Sequence, residues 1–265
     1  MNKVITIKAW RRPDYYQQVI SALEKCPGID DYIIYTVVDH TDPQYGFLSK
    51  HTYVGNKSRL NIFTIPAQTP LGCAGATRMC LEVGFNGTDN NFIIHLEDDT
   101  VPSRDFIKFM EFSDRVYKEN PEVFVVHAHN RHPEWPEGDK EDLLSQVSLR
   151  KGITTYWGWG IWRRLWDEMK DNFFGIHWVT GDEPEPILEG EEFLKQIVYA
   201  DDGSWGWPML KYWPKGRKEV FPVISRIQNI GKERGRFCVD QDIYYNRHHT
   251  PVWAEDHVPE KYKRV

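Results

Sequence analysis

Three adjacent acidic residues are the clearest chemical signal in this chain. Glu97, Asp98 and Asp99 follow the apolar segment 91–96, which has the length and composition of a buried strand. Carboxylates at such a place repel one another because little solvent screens their charges. A divalent cation relieves the repulsion, and hard oxygen ligands suit Mg²⁺ or Mn²⁺, either of which can hold a diphosphate. The triplet therefore predicts a site for Mn²⁺ or Mg²⁺ and a ligand that carries a diphosphate.

A structural interpretation of the triplet competes with this one. Negative charge is also favourable near the N-terminus of a helix, and a helix is expected from Ser103 to about Glu119. Ser103 and Asp105 are placed to cap that helix themselves. The triplet is then not needed for capping, which favours the ligand interpretation.

Strands and helices alternate around the triplet. Pro13 opens a helix that ends at the turn 26–28, and a second helix is expected at 73–85. This alternation predicts an α/β domain with a mainly parallel sheet flanked by helices. Right-handed crossovers place the ends of such strands at one edge, so Asp39 is expected to share a cleft with the triplet. The predicted strands are 4–9, 32–38, 60–65, 91–96 and 123–127.

The later part of the chain is richer in tryptophan, glycine and proline. We expect residues 1–130 to form a nucleotide-binding half and residues 131–265 an acceptor-binding half of a single compact domain. The elements predicted for the second half are a hairpin or loop at 131–151, a helix led in by 157–160 and running through 162–169, an acidic linker at 182–190, a helix at 191–199, and short strands with loops after 220.

The composition limits the classes of function. The chain has 265 residues, a formal net charge of -6 and a pI of about 5.9, which counts against a general nucleic-acid or membrane-surface binder. Its 11 tryptophans favour a carbohydrate or nucleotide ligand, on which aromatic faces stack. The four cysteines have no C-x-x-C spacing, and neither a signal peptide nor an apolar run of membrane length is evident, so we expect a cytoplasmic protein.

Three segments, in this order, resemble the GT-A glycosyltransferases. Segment 95–106 places the acidic triplet before a Pro-x-x-Asp-Phe helix start, 157–166 is rich in glycine and tryptophan, and 222–231 ends in Asn-Ile-Gly. The nearest likeness is to the branch of the N-acetylglucosaminyltransferase I enzymes and bacterial surface-polysaccharide transferases. This resemblance implies a GT-A, Rossmann-like fold and inverting transfer of a sugar from a nucleotide-diphosphate donor, with UDP favoured, to an acceptor hydroxyl.

The resemblance also implies roles for the residues of the first half. Asp99 would bind the metal directly, with Asp98 on the metal or the ribose and Glu97 near the nucleotide. The remaining candidates for nucleotide binding are Asp39 toward the base or ribose, Arg11 or Arg12 after the first strand, and Arg78, which reaches the diphosphate or is an ordinary exposed helix charge.

The base that takes the acceptor proton is expected in the second half. Relatives carry an acid at a late, tryptophan-rich helix start, but Gly206 stands at that place here. Asp202, and after it Asp201, is the substitute we predict as the catalytic base, and capping of the same helix is the alternative.

Aromatic residues are the candidates for the acceptor site. Trp157, Gly158, Trp159 and Trp205 are predicted to bind the acceptor, because glycine permits a close backbone approach and indole rings stack on sugars. The alternative for residues 157–166 is helix packing, with Trp159, Trp162 and Trp166 in the core at helical spacing.

Other functions were weighed against sugar transfer. A sugar nucleotidyltransferase needs a glycine-rich phosphate loop after the first strand, and segment 10–13 contains no glycine. A non-catalytic carbohydrate-binding module would leave the acidic triplet without a purpose.

The acceptor is expected to be a glycan or, alternatively, hydroxymethylated phage DNA. Binding of DNA needs a local basic surface. The residues that would supply such a surface are Arg131, Arg150, Lys151, Arg163, Arg164, Arg217 and Lys218.

Overall fold

The first three strands and the fourth run side by side in a computed structural model of the chain. The structure describes residues 3–39, 59–68, 71–86, 88–130, 135–150, 157–170, 217–231 and 253–265. Continuous β-branched and apolar runs form these strands; the side chains of β1, β2 and β4 are mostly buried, whereas those of β3, at the edge of the sheet, are partly or fully exposed. They are β1 (Lys3–Ala9), β2 (Tyr32–Val38), β3 (Asn61–Pro66) and β4 (Phe92–Glu97).

Three helices accompany these strands. Pro13 at the first turn of α1 fixes a helical backbone angle where no amide donor is needed, and the stripe of Tyr16, Val19, Ile20 and Leu23 is buried against the sheet. A 3₁₀ turn at Ile29–Asp31 follows α1. The helices are α1 (Pro13–Leu23), α2 (Gly72–Asn86) and α3 (Phe106–Tyr117).

The start of α3 differs from the predicted cap. The helix begins at Phe106 rather than at Ser103, and the side chain of Asp105 makes no capping hydrogen bond. The Ser103 hydroxyl instead donates to Asp105 at 2.7 Å. The prediction was wrong because Asp105 is held by a buried arginine from a distant strand, which the local sequence does not reveal.

The remaining described elements come mostly from the second half of the chain. They contribute strands to the same sheet as the first half, so one sheet runs through both halves. The elements are β5 (Thr100–Pro102), β6 (Val123–His127), α4 (Lys140–Ser145), β7 (Gln146–Arg150), β8 (Trp159–Trp162), α5 (Arg163–Met169), β9 (Lys218–Pro222), β10 (Ile227–Asn229) and β11 (Lys263–Arg264).

The main sheet is mixed and mainly parallel, as predicted. Its nine strands lie in the order β11-β7-β9-β6-β8-β4-β1-β2-β3, and β10 pairs with β5 in a small second sheet. Strand β8 runs antiparallel between β4 and β6, while the pairs β1–β2, β1–β4, β2–β3 and β6–β9 are parallel. The α/β class with helices flanking the sheet is therefore confirmed.

Two predictions for the second half were wrong. Residues 131–151 are not only loop, because Asp139 accepts a hydrogen bond from the Asp142 amide and starts α4, and β7 then pairs with β9. Residues 159–162 form a strand rather than a helix start, and helix α5 begins only at Arg163. A Cβ on Gly160 would lie 2.2 Å from the Phe92 ring, so glycine lets β8 pack closely beside β4.

The predicted linker at 182–190 and the predicted helix at 191–199 lie outside the described residues. Among the described helices, none has both the length and the apolar character that crossing a membrane requires. In the described core, Trp162 and Trp166 are buried, as expected, and Trp166 stacks on Phe85 with ring centroids 6.0 Å apart.

Candidate active site

The acidic triplet lies where the strand order of the sheet reverses. From β1, the chain adds β2 and β3 on one side and β4 on the other, so the ends of β1 and β4 flank a topological switch point. Ligands of open α/β sheets bind in the crevice at such a point. The loop after β1 and the triplet after β4 therefore meet at the expected place for a binding site.

Glu97 has a different ion-pair partner from the two aspartates of the triplet. Glu97 pairs with Lys8 at 3.1 Å, and the same ammonium lies 3.0 Å from the Cys73 sulfur. Asp98 accepts a hydrogen bond from the Trp10 amide at 2.8 Å. Within the described ranges, no group of three or more His, Cys, Asp and Glu side chains converges in the way that metal ligands do. Glu97 is thus separated from the other two acids by its own cation.

Arg12 bridges Asp98 and Asp99. One guanidinium nitrogen lies 2.5 Å from Asp99 Oδ2, and another donates to Asp98 Oδ1. The Arg12 side chain is 11% exposed and the Asp99 side chain 8% exposed, so this ion bridge is largely shielded from water. A cation therefore lies against the acidic pair, and it is supplied by the protein itself.

The turn that carries Arg12 is strained. Arg11 has a φ of 55°, in the left-handed region that residues other than glycine rarely adopt, at a cost of roughly 1–2 kcal/mol. The Arg11 guanidinium lies 4.9 Å from the Trp10 ring centroid, on the exposed side of the turn. This conformation lets both the Trp10 amide and the Arg12 side chain reach Asp98. Such strain is found preferentially at functional sites.

The second oxygen of Asp99 has no partner among the described residues. Asp99 Oδ1 is buried without a hydrogen bond, which is costly for a carboxylate. Beside it, a Cβ on Gly231 would lie 2.2 Å from Asp99 Oδ2, so glycine is required for the close approach. The Ile230 amide donates to the Asp99 carbonyl at 2.8 Å, and β10 pairs with β5, which holds this segment in place.

Burial changes the acidity of the pair. The pKa of Asp98 is raised to about 7, chiefly by burial and also by the charge of Asp99, against the opposing effects of Arg12 and the Trp10 amide. The pKa of Asp99 is also raised, chiefly by burial and next by the charge of Glu97, against the opposing effect of Arg12. Arg12 therefore compensates the two charges incompletely.

A divalent cation fits the Asp98–Asp99 pair in two respects. The pair carries two negative charges against one positive charge from Arg12, and Asp99 Oδ1 is an oxygen ligand without a partner in the described part of the chain. Hard carboxylate oxygens suit Mg²⁺ and Mn²⁺. Arg12 would have to move before such an ion could bind fully, because its guanidinium contacts Asp98 Oδ1 and Asp99 Oδ2.

Asp39 lies at the same edge, but its carboxylate binds backbone amides of the protein itself. Its backbone amide donates to Ala9, so it is beside the end of β1, as predicted. Both carboxylate oxygens accept amide hydrogen bonds at the start of α2, from Leu71 at 2.8 Å and from Gly72 at 3.0 Å. Asp39 therefore caps α2, and its predicted contact with the base or ribose stays a prediction.

Arg78 lies apart from the acidic pair. It is on the exposed side of α2, where its guanidinium pairs with Glu82 at 2.6 Å, four residues along the same helix. The structure thus brings Arg12, Asp98 and Asp99 together and does not bring Arg78 to them. A role of Arg78 at the diphosphate stays a prediction.

The predicted acceptor residues lie next to this edge but are mostly buried. Trp157 packs edge-on against His129 with ring centroids 4.9 Å apart, and Trp159 is fully buried against His95. Gly158 has a φ of 62°, and a Cβ there would lie 2.5 Å from Ile227, so this glycine serves close packing. The predicted residues Asp201, Asp202 and Trp205 lie outside the described residues.

Sequence reasoning missed Gly231 and the bridging role of Arg12. Gly231 was part of the Asn-Ile-Gly segment, but its contact with Asp99 depends on the pairing of β10 with β5, which no local pattern encodes. Arg12 was singled out as a nucleotide contact, not as a partner of the acids. Its position after β1 and the parallel β1–β4 pairing were the available signals.

No protein-family model matches the chain, and no curated protein matches it in sequence. Among solved structures it is similar to the mannosyltransferase PcManGT from Pyrobaculum calidifontis in complex with GDP-Man and Mn²⁺, with 12% identity, 63% of this chain and 46% of that chain covered, and a TM-score of 0.43.

Two further similar structures are bacterial. For TarS 1–349 of S. aureus, the identity is 11%, the coverage 86% of this chain and 60% of that chain, and the TM-score 0.49. For the glycosyltransferase GlyE of Streptococcus pneumoniae TIGR4, the values are 12%, 93%, 60% and 0.42. This chain thus spans less than two thirds of the length of these proteins, and its function has to be argued from its own site.

Proposed function

We propose that this chain is a metal-dependent glycosyltransferase. It transfers a sugar from a nucleotide-diphosphate donor, with UDP favoured, to an acceptor hydroxyl, with a glycan favoured and inversion at the anomeric carbon. The observation that carries the proposal is the buried Asp98–Asp99 pair at the switch point between β1 and β4, with Asp99 Oδ1 left without a partner among the described residues. The resemblance of the triplet and its flanking segments to GT-A enzymes supports the same function.

The residues at this edge have different roles in donor binding, with the acids on the metal and the arginines on the phosphates. Asp99, with Asp98 beside it, would hold Mn²⁺ or Mg²⁺, which when bound neutralises the departing nucleotide diphosphate. Arg12 and Arg11 provide guanidinium donors, whose planar geometry matches phosphate oxygens. The burial of Asp98 and Asp99 strengthens these interactions, because fixed charges interact more strongly where water is excluded.

The acceptor half of the reaction requires a base. Asp202, or Asp201 next to it, takes the proton of the attacking hydroxyl in this proposal, and Trp205 contributes to the acceptor site with Trp157. Trp157 is the member of this group that the structure describes, and it lies directly before β8. Gly158 and Trp159 stay predicted members of the acceptor site, although Trp159 is fully buried and Gly158 packs against Ile227.

The described basic residues favour a glycan over modified DNA as the acceptor. Each of those proposed for a DNA-binding surface is paired within the protein. Arg150 binds the buried Glu219, Arg217 pairs with Glu168, and Lys218 pairs with Glu122. Arg163 and Arg164 donate to backbone carbonyls. A phosphate backbone would have to displace these partners, which weakens non-specific attraction.

The proposal is tested by nucleotide release. We would incubate the protein with Mn²⁺ and a panel of nucleotide sugars and measure free nucleoside diphosphate, alone and with an oligosaccharide or hydroxymethylated DNA. We expect slow hydrolysis of one donor, accelerated by the oligosaccharide and reduced about 100-fold or more by chelation or by Asp99→Ala. Asp30→Ala, at an exposed ion pair with Arg59, is the matched control.

The negative outcomes are distinct. If no donor releases nucleoside diphosphate, and calorimetry detects no binding of nucleoside diphosphate, sugar transfer is refuted. Binding of glycan without nucleotide or metal would instead indicate a carbohydrate-binding module. Acceleration by hydroxymethylated DNA alone would replace the glycan by a nucleobase as the acceptor.

A further inference from the structure

Arg12 lies against the two oxygens that a metal ion would be expected to contact first. Its guanidinium reaches Asp99 Oδ2 at 2.5 Å and also donates to Asp98 Oδ1. Because Trp10 occupies the other oxygen of Asp98, Asp99 Oδ1 is the oxygen of the pair without a partner in the described part of the chain. A cation can therefore approach the pair fully only if Arg12 moves.

The charges around the pair are out of balance. Glu97 is compensated by Lys8, so the local sum, when both aspartates are ionised, is two negative charges from Asp98 and Asp99 against one positive charge from Arg12. One negative charge is left in a place with little solvent. A divalent cation would balance the pair completely, and Arg12 would then be repelled by it.

The attachment of Arg12 allows it to move. Within the described residues, its Nε has no hydrogen-bond partner; the guanidinium is held by the two carboxylates and lies 5.8 Å from the Tyr15 ring centroid, a contact that leaves its donors free to exchange. Arg226, a buried arginine that pairs with Asp105, differs because it also donates to the carbonyls of Ile224 and Leu144. Arg12 also lies in a strained turn at the sheet edge, directly before α1.

We infer that Arg12 is an exchangeable counter-ion: it neutralises Asp98 and Asp99 while the donor site is empty, and it gives up this position to a divalent cation when a nucleoside diphosphate binds. The inference rests on the proposed function. Released from the acids, the guanidinium is available to the diphosphate, which offers the same bidentate oxygen geometry. Metal and nucleotide then bind cooperatively, since each removes part of the cost of displacing Arg12.

The test measures Mn²⁺ binding without turnover. Free Mn²⁺ is followed by electron paramagnetic resonance with the full chain, first without nucleotide and then with UDP or GDP. We expect Arg12→Gln to bind Mn²⁺ at least about tenfold more tightly than the unmodified protein when nucleotide is absent. We also expect the nucleoside diphosphate to raise Mn²⁺ affinity by a larger factor in the unmodified protein than in Arg12→Gln.

Two further variants complete the design. Arg59→Gln removes a surface arginine that pairs with the exposed Asp30, and it should leave Mn²⁺ affinity unchanged. Arg12→Lys keeps a charge but cannot bridge two carboxylates as a guanidinium does, so its Mn²⁺ affinity should lie between those of the other two forms. It also keeps the inference testable if Arg12→Gln does not fold, which circular dichroism and thermal melting establish.

The inference is overturned if Arg12→Gln, or Arg12→Lys in its place, binds Mn²⁺ no more tightly than the unmodified protein. It is equally overturned if Mn²⁺ binds none of the forms with or without nucleotide. Sugar transfer fails in a different way, by the absence of nucleotide release from every donor. Release that persists in chelator would keep sugar transfer and reject the exchange.

Discussion

Two buried arginine–aspartate clusters of this protein contain the same residue types but differ in whether all their polar atoms have hydrogen-bond partners. In the first, Asp105 accepts hydrogen bonds from Arg226 at 2.7 Å, from Tyr262 at 2.6 Å and from Ser103 at 2.7 Å. Both of its carboxylate oxygens have donors, and the side chains of Arg226 and Asp105 are fully buried. This cluster connects β10, α3 and the C-terminal segment, and its hydrogen bonds are the kind that a folded core requires.

The second cluster, Arg12 with Asp98 and Asp99, is incomplete. In the described structure, Asp99 Oδ1 and Arg12 Nε have no hydrogen-bond partners, and burial raises the pKa of Asp98 to about 7. The same residue types thus stabilise the fold in one place and leave unmet interactions in the other. We conclude that unmet hydrogen bonds at a sheet edge, rather than the presence of buried charges, distinguish the candidate site.

The largest predicted effect is a difference in the free energy of unfolding between variants of the two clusters. Asp105→Ala leaves Arg226 as a buried charge without its carboxylate, so we expect a loss of about 3–5 kcal/mol in the free energy of unfolding. Asp99→Ala leaves Arg12 paired with Asp98 and removes a carboxylate with an unmet oxygen, so we expect a change below about 1 kcal/mol, or stabilisation. Urea denaturation measures both. Equal losses in the two variants would contradict the distinction.

The second prediction concerns pH. The pKa of Asp98 rises from an ordinary 3.8 to about 7 in the folded state, so the folded protein binds this proton more tightly than the unfolded chain. The resulting stability is present below about pH 4 and is lost as pH rises through about 7, by a few kcal/mol at about 1.4 kcal/mol per pKa unit. Asp98→Asn stays neutral and should not show this loss.

The measurement is urea denaturation of both proteins between pH 4 and 8. The difference in unfolding free energy, unmodified protein minus Asp98→Asn, should decrease as pH rises. A difference that stays constant over this range would show that Asp98 does not retain its proton in the folded state.

Much of the first half could be predicted because its signals are local. Strand β2 (Tyr32–Val38) matches the prediction residue for residue, since a continuous β-branched run bounded by polar residues leaves few alternatives. Proline 13 likewise marks the start of α1. The shared edge of Asp39 and the triplet followed from the handedness of crossovers, which holds for nearly all parallel sheets.

The errors in the second half come from long-range pairing. Segment 157–160 was predicted only to lead into a helix; the helix is present at Arg163–Met169, but residues 159–162 form β8, which pairs with β4 and β6, both distant in sequence. The cap at Asp105 was wrong because Arg226 lies 121 residues away. The Arg12 bridge depends in the same way on the pairing of β1 with β4, so its residues were found and its geometry was not.

The third prediction concerns Gly231, whose replacement by alanine should displace the Asp99 side chain. A Cβ on Gly231 would lie 2.2 Å from Asp99 Oδ2, so Gly231→Ala must displace the carboxylate. We expect Mn²⁺ affinity in the presence of nucleoside diphosphate to fall about tenfold, or roughly 1.4 kcal/mol. Gly72→Ala is the control, because its φ of 68° makes the substitution strained while no atom lies within 4 Å of the added Cβ. A similar loss in both variants would show that displacement of the Asp99 carboxylate is not the cause.

The smallest predicted effect concerns Arg78. Its ion pair with Glu82 is about 40% exposed, and such pairs contribute about 0.3–0.5 kcal/mol. Arg78→Ala should therefore change the unfolding free energy by less than about 0.5 kcal/mol. If Arg78 also contacts the donor diphosphate, as the sequence suggested, the KM for the donor will rise; an unchanged KM would restrict Arg78 to the helix surface.

The central claim is that the incomplete cluster binds a metal and a nucleotide-diphosphate sugar together. Isothermal titration calorimetry of UDP- and GDP-sugars, with and without Mn²⁺, tests it most directly in the unmodified protein, Asp99→Asn and Asp105→Asn. We predict that one donor binds with Mn²⁺, that chelator or Asp99→Asn abolishes this binding, and that any folded Asp105→Asn retains it. Donor binding that is independent of both Mn²⁺ and Asp99 would contradict the account.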